Sequence, residues 1–170
     1  MPSFSAFTLA KLAYETFLKF GLDAKRSVDK GEVTLALENI IEANTYLSGI
    51  GFESSGLAAA HAIHNGISQL NECHHLLHGE KVAFGTIVQL VLERSDTDEL
   101  KAIIKFCREL GLPTTLKEMG ISKIELAHLK VVADAACESS ETIHNMPFTI
   151  KPSDLVQAII TANEISSKLV

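Results

Sequence analysis

An all-α fold is predicted, on three observations. Apolar residues recur at i, i+3 and i+4 steps along the whole chain, the spacing that lines one face of a helix. No segment alternates apolar and polar residues with period two, as a half-buried strand would. No Asn-Gly or Asp-Gly pair joins β-branched runs, since Asn65-Gly66 follows an Ala-rich helical pattern. With 170 residues, 46% hydrophobic and 21% charged, the chain can bury a sizeable core. No repeat, linker or low-complexity tract divides it, so residues 1–170 are expected to form a single multi-helix domain.

The elements follow in order. Leu9, Leu12, Ala13, Thr16, Phe17 and Phe20 mark a first amphipathic helix, expected to stop at Gly21. Val33, Leu37, Ile40, Ile41, Asn44 and Leu47 mark a second, expected to end at the pair Gly49 and Gly51. Ser55 is placed to cap a small-residue helix through Leu57, Ala58, Ala59, Ala60, His61 and His64. Phe84, Ile87, Val88 and Val91 mark a longer helix after Gly79. Asp96 with Glu99 and Ser122 with Glu125 have capping-box spacing. They open helices whose core faces read Leu100, Ile103, Ile104, Cys107 and Leu126, Leu129, Ala133, Ala136, with Gly111 and Pro113 between the two. After an irregular stretch from Glu141 to Ile150, Pro152 suits the first turn of a last helix facing the core with Leu155, Ala158, Ile159, Ala162 and Ile165.

Composition narrows the functional classes. A net charge of −6 without a Lys/Arg run argues against nucleic acid or an anionic membrane surface as partner. Cys73, Cys107 and Cys137 are odd in number and lack CxxC spacing, so neither a disulfide framework nor a zinc ribbon is indicated, and a reducing cytoplasm is expected. Lys11, Glu15 and Lys19 interrupt the first apolar segment at helical spacing, unlike a signal peptide. No stretch approaches the roughly 18 apolar residues of a membrane span.

Five of the seven histidines fall in the run HAIHNGISQLNECHHLLH, from His61 to His78. Neutral imidazole is a common metal ligand and a proton carrier near neutral pH, so the cluster points to a metal site, a proton relay, or both. His61 and His64 are three apart and share a helix face; His74 and His78, four apart, would do the same if their segment is helical. Gly66, Ser68, Asn71 and Glu72 form a polar break where the chain can turn and close a two-helix clamp on one ion. HExxH is absent, as is a His-Asp dipeptide. Glu72 with His75 and Glu141 with His144 have the ExxH spacing of di-iron bundles, but Gly66 and Pro147 lie near them, where mid-helix geometry is disfavoured.

The segments IIEANTYLSGIGFESSGLAAAHAIHNG and HHLLHGEKVAFGTIVQLVLE closely resemble the metal-binding region of the iron-containing alcohol dehydrogenase family, in its glycerol dehydrogenase branch. The resemblance extends through FTLAKLAYETFLKFGLDAK, GLPTTLKEMGI and VVADAACESSETIHNMP to the last helix. It implies the C-terminal helical domain of the iron-containing alcohol dehydrogenase and dehydroquinate synthase-like fold. It also implies that His61 and His78 bind a catalytic divalent ion, usually zinc, and that His64 lines the pocket and relays protons. Phe52 is expected near a bound polyol such as glycerol, while His74, His75 and His144 are expected outside the ligand shell. The implied reaction is NAD-linked oxidation of glycerol to dihydroxyacetone.

Two features of that family do not appear in the sequence. There is no GxGxxG or GGG run on a strand-to-helix turn, so these residues are expected to lack the family's NAD-binding α/β domain. The family's aspartate ligand has no counterpart motif at Asp23 or Asp29, and two histidines remain where a catalytic zinc takes three protein ligands. The leading expectation is a truncated glycerol dehydrogenase, inactive alone. The alternatives are one half of a split enzyme completed by an NAD-binding chain, and a non-catalytic metal-binding or homo-oligomerising module.

Overall fold

The computed structural model describes residues 3–169, and no strand occurs among them. They cluster into two compact units, one running up to Gly56 and the other starting at Leu57.

In the first unit, α1 (Phe4–Lys30) packs against α2 (Leu35–Glu42) and α3 (Ser48–Ser55), which a π-helical turn at Ala43–Leu47 joins without interruption. Ser3 Oγ accepts from Ala6 N at the start of α1, and Ala13, Ala43 and Leu47 form a small core with Leu9 and Phe17 against it. Two expected helix ends are overturned. Gly21 lies inside α1, where a glycine costs only about 1 kcal/mol relative to alanine, and the helix continues to bury Ala24 and Ser27. Its stop is Gly31, at φ 69, with Gly31 N donating to Val28 O and Glu32 N to Ser27 O. That is a left-handed cap, strained for any residue with a Cβ. Gly49 and Gly51 likewise sit within α3, and Gly51 is buried against Leu9 and Ala10 of α1. The end comes at Gly56, whose φ of 77 and ψ of −175 are nearly glycine-only.

The second unit contains α4 (Ala59–Ile67), α5 (His78–Leu92), α6 (Thr97–Glu109), α7 (Leu126–Ala136) and α8 (Pro152–Lys168), with short 3₁₀ turns at Asn71–Cys73 and Thr142–Asn145. α4 packs on α5 and α7, α8 packs on the same two, and α6 packs on α5. A continuous core of Ile63, Phe84, Ile87, Ile104, Leu129, Leu155 and their neighbours fills the space between them. α6 and α8 match their sequence signals. Asp96 caps α6 by accepting from Asp98 N and Glu99 N, and Pro152 opens α8. Arg108 links both helices to the intervening loop, donating from Nε to Thr114 Oγ1 and from Nη2 to Ser166 O.

Two expected caps are corrected. Ser55 closes α3, donating to Gly51 O at 2.6 Å, and the start of α4 is instead satisfied by α5, whose Gln89 Oε1 accepts from Ala60 N. Ser122 belongs to the turn after Gly120, with its N donating to Gly120 O. α7 therefore begins only at Leu126, which is 57% exposed rather than part of the core face.

Candidate metal centre

The site is built on α4, which is pressed between two helices. A Cβ on Gly66 would overlap the Val132 carbonyl of α7, and one on Gly85 of α5 would overlap the Ala60 carbonyl of α4. These two glycines let the backbones approach where any larger residue would hold them apart. With Ala59, Ala62, Ile63, Gly66 and Ile67 buried, the opposite stripe of α4 presents His61 and His64. Gly66 is thus part of the helix; the chain turns after Ile67.

That turn is held by side chains. Ser68 Oγ donates to His64 O, the buried Lys81 donates to Ser68 Oγ, and His74 Nε2 bonds Ser68 O at 3.1 Å. Cys73 is buried with its Sγ 3.6 Å from Met119 O. The chain re-enters a helix at His78, where Leu77 N donates to Glu80 Oε2, so Gly79 falls inside the first turn of α5. His74 through Leu77 are not helical, so His74 and His78 do not share a helix face. The clamp consists of α4 and the first residue of α5.

His78 Nδ1 lies 3.1 Å from His64 Nε2. The ring centroids of His64 and His78 are 4.3 Å apart and those of His61 and His78 are 5.5 Å apart, at 44°. Burial, then the neighbouring His78 and His64, hold His61 below the ordinary imidazole pKa. Burial also lowers His64. The Asn65 hydrogen bond opposes this, and burial together with the smaller pushes of His78 and Lys81 outweighs that bond and Glu141, which raise it. Both effects favour the neutral ring, the form that binds a metal.

Two imidazoles on one tetrahedral zinc, with Zn–N distances of about 2.0 Å, place their ring centroids roughly 5 Å apart. The His61–His78 spacing fits. Among the described residues no group of three or more His, Cys, Asp or Glu is placed to hold an ion, so an ion on this pair would need a further ligand. Phe52 stands on α3, in the first unit, 46% exposed. The ExxH pairs lie in turns. Glu72 is in the 3₁₀ turn before His75, while His144 Nε2 bonds Glu138 O and Glu141 accepts from Asn65. This is not the arrangement of a di-iron bundle, in which both pairs project from helices.

Sequence reasoning did not single out Asn65 or Lys81. Asn65 Oδ1 lies 2.9 Å from His64 Nδ1, and its Nδ2 donates to both oxygens of Glu141. The only signal for Asn65 was its place beside His64; the partner 76 residues away leaves no local mark.

No protein-family model matches the sequence. Curated relatives do. A glycerol dehydrogenase of Citrobacter freundii is 55% identical over 159 residues, 94% of this chain and 44% of that protein. A glycolaldehyde reductase of Halobacterium salinarum is 48% identical over 99% of this chain and 46% of that protein. The crystal structure of glycerol dehydrogenase from Schizosaccharomyces pombe superposes with a TM-score of 0.95 at 40% identity, covering 99% of this chain and 43% of that one. This chain spans less than half the length of the relatives it matches. By identity over nearly all its residues and by a shared helical fold, it belongs to the glycerol dehydrogenase family.

Proposed function

We propose that this chain is the metal- and polyol-binding helical part of a glycerol dehydrogenase, with His61 and His78 as two ligands of a divalent ion, zinc by preference. The supporting observation is the convergence of His61, His64 and His78 from two helices, with His61 and His64 favoured in the neutral form. A bound ion would act as a Lewis acid on a substrate hydroxyl, easing hydride transfer from its carbon to NAD and giving dihydroxyacetone, NADH and a proton from glycerol. His61 and His78 supply nitrogen donors. His64 is the proton carrier. Phe52 is assigned to the apolar side of the polyol. NAD is assigned to a nucleotide-binding domain outside this chain, in keeping with relatives about twice as long.

The substrate class rests on the relatives' names, a glycerol dehydrogenase and a glycolaldehyde reductase, both acting on small hydroxylated molecules. A second reading, one half of a split enzyme completed by a separate NAD-binding chain, draws support from the first unit. There Phe4, Phe7, Val33 and Leu35 are 60–86% exposed, an apolar surface suited to a partner.

Calorimetric titration of zinc into metal-free protein tests the site. One-to-one binding lost in both His61→Ala and His78→Ala is expected, with glycerol altering the heat of the wild type alone. Weak binding indifferent to both substitutions would overturn the proposal.

A further inference from the structure

We infer that Glu141 and Asn65 are positioning residues that set the tautomers of His64 and His78, leaving Nε2 of His78 as a bare lone pair. Glu141 is fixed by its loop. The adjacent Thr142 Oγ1 donates to Ala58 O at 2.8 Å, Asn145 Nδ2 donates to Leu57 O at 2.7 Å, and His144 ties the same loop to Glu138 O. The loop is therefore tied to the residues just before α4, and the Glu141 carboxylate faces Asn65 Nδ2, in the last turn of that helix, at 3.1 and 3.0 Å.

A carboxylate only accepts hydrogen bonds. Asn65 must turn its NH₂ group toward Glu141, since the flipped amide would set oxygen against oxygen. Its Oδ1 then faces His64 Nδ1 at 2.9 Å. An amide oxygen also only accepts, so His64 carries its hydrogen on Nδ1. A neutral imidazole has one such hydrogen, and His64 Nε2 is left as an acceptor. The 3.1 Å contact with His78 Nδ1 then requires the hydrogen on His78 Nδ1. His78 Nε2 is the remaining lone pair, the only ring nitrogen of His78 open to a ligand.

Carboxylate, amide and two imidazoles thus form one directional chain, with its donors and acceptors dictated from the Glu141 end. A free imidazole interconverts between tautomers; here the fold selects one for each ring. Only the last step, from the bare His78 Nε2 to a metal, rests on the proposed function.

The experiment reads the hydrogens directly. Metal-free protein labelled with ¹⁵N-histidine is examined by long-range ¹H–¹⁵N correlation at pH 8, where each ring reports which nitrogen is protonated. The wild type is expected to show His64 and His78 both as Nδ1–H. Asn65→Ala, and separately Glu141→Ala, should convert His64 to a tautomer mixture and remove the pure lone-pair signal of His78 Nε2. The patterns of His128 and His144 should stay unchanged, as a check on folding. Wild-type His64 with its hydrogen on Nε2, or an unaltered His64 in folded Asn65→Ala, would overturn the inference. Zinc is then added to the same samples. A roughly tenfold loss of affinity in Asn65→Ala is expected, within the range for partners that orient a ligand. If zinc fails to bind even the wild type while the tautomers hold, the metal assignment fails and the positioning chain stands.

Discussion

His61 and His64 tie the site to pH. Both imidazoles are held below their ordinary pKa in the folded chain, His61 by burial and its histidine neighbours, His64 by burial first. In the unfolded chain they take up protons near pH 6.5, whereas the folded chain resists until the pH is lower. Between those two values the unfolded state binds more protons, so stability rises with pH across that window. The contribution is complete above about pH 6.5 and is lost as the pH falls through the folded values. Urea denaturation between pH 7.5 and pH 5 should therefore show a weaker acid-side loss in the double variant His61→Gln, His64→Gln than in the wild type. An equally steep loss would show that these two rings do not carry the effect. The histidines themselves were legible because five of them crowd into one run and three-residue spacing puts two on one face. The pairing of Asn65 with Glu141 was not, because what joins them is a fold contact between residues 76 apart.

At the scale of elements, the position of α4 depends on two missing side chains. Replacing a glycine inside an exposed helix with alanine ordinarily gains about 1 kcal/mol from propensity. At Gly66 and Gly85 the new Cβ would meet a backbone carbonyl, of Val132 and Ala60 respectively, which cannot swing aside as a side-chain tip can. Overpacking of this kind costs about 1–3 kcal/mol, so Gly66→Ala and Gly85→Ala are each expected to lower the melting temperature. Gly79→Ala, where no atom lies within 4 Å of the added Cβ, serves as the control. A rise in stability at Gly66 or Gly85 would refute the close-packing account. The same glycines show which parts of the fold local sequence could reveal. α6 and α8 were readable because Asp96 and Pro152 act within their own first turns. Gly51 and Gly66 looked like stops but lie within helices, because what each meets there, Leu9 and Ala10 for Gly51 and the Val132 carbonyl for Gly66, is distant in sequence, while Gly21 and Gly49 are simply tolerated inside theirs. Gly31 and Gly56 are true stops because their backbone angles are local properties.

For the molecule as a whole, the all-helical class and the family were both legible, since periodicity is repeated in every element and segments resembling the family run along nearly the whole chain. Core size differs sharply between the two units and has a measurable consequence. Among its described residues the first unit buries chiefly small apolar side chains, Ala6, Ala13, Ala24 and Ala43, with Leu47 the one large buried apolar residue, and leaves Phe4, Val33 and Leu35 at least 70% exposed. The second unit buries Phe84, Ile63, Ile87, Ile104, Leu129, Leu155 and Ile159 almost completely. Burial of a large apolar side chain contributes about 1.5–3 kcal/mol, and local opening takes place first where few such contacts hold. Native-state hydrogen exchange should therefore find the amides of α1, α2 and α3 exchanging through openings of lower free energy than those of α5 and α8. The difference should persist when zinc is added, because His61, His64 and His78 all lie in the second unit, so ligand binding there stabilises α4 and α5 through mass action without adding a contact within the first unit's own core. Equal protection in α1 and α8 would mean that the two units open as one cooperative structure, and that the alanine-lined core of the first contributes far more than its buried area implies.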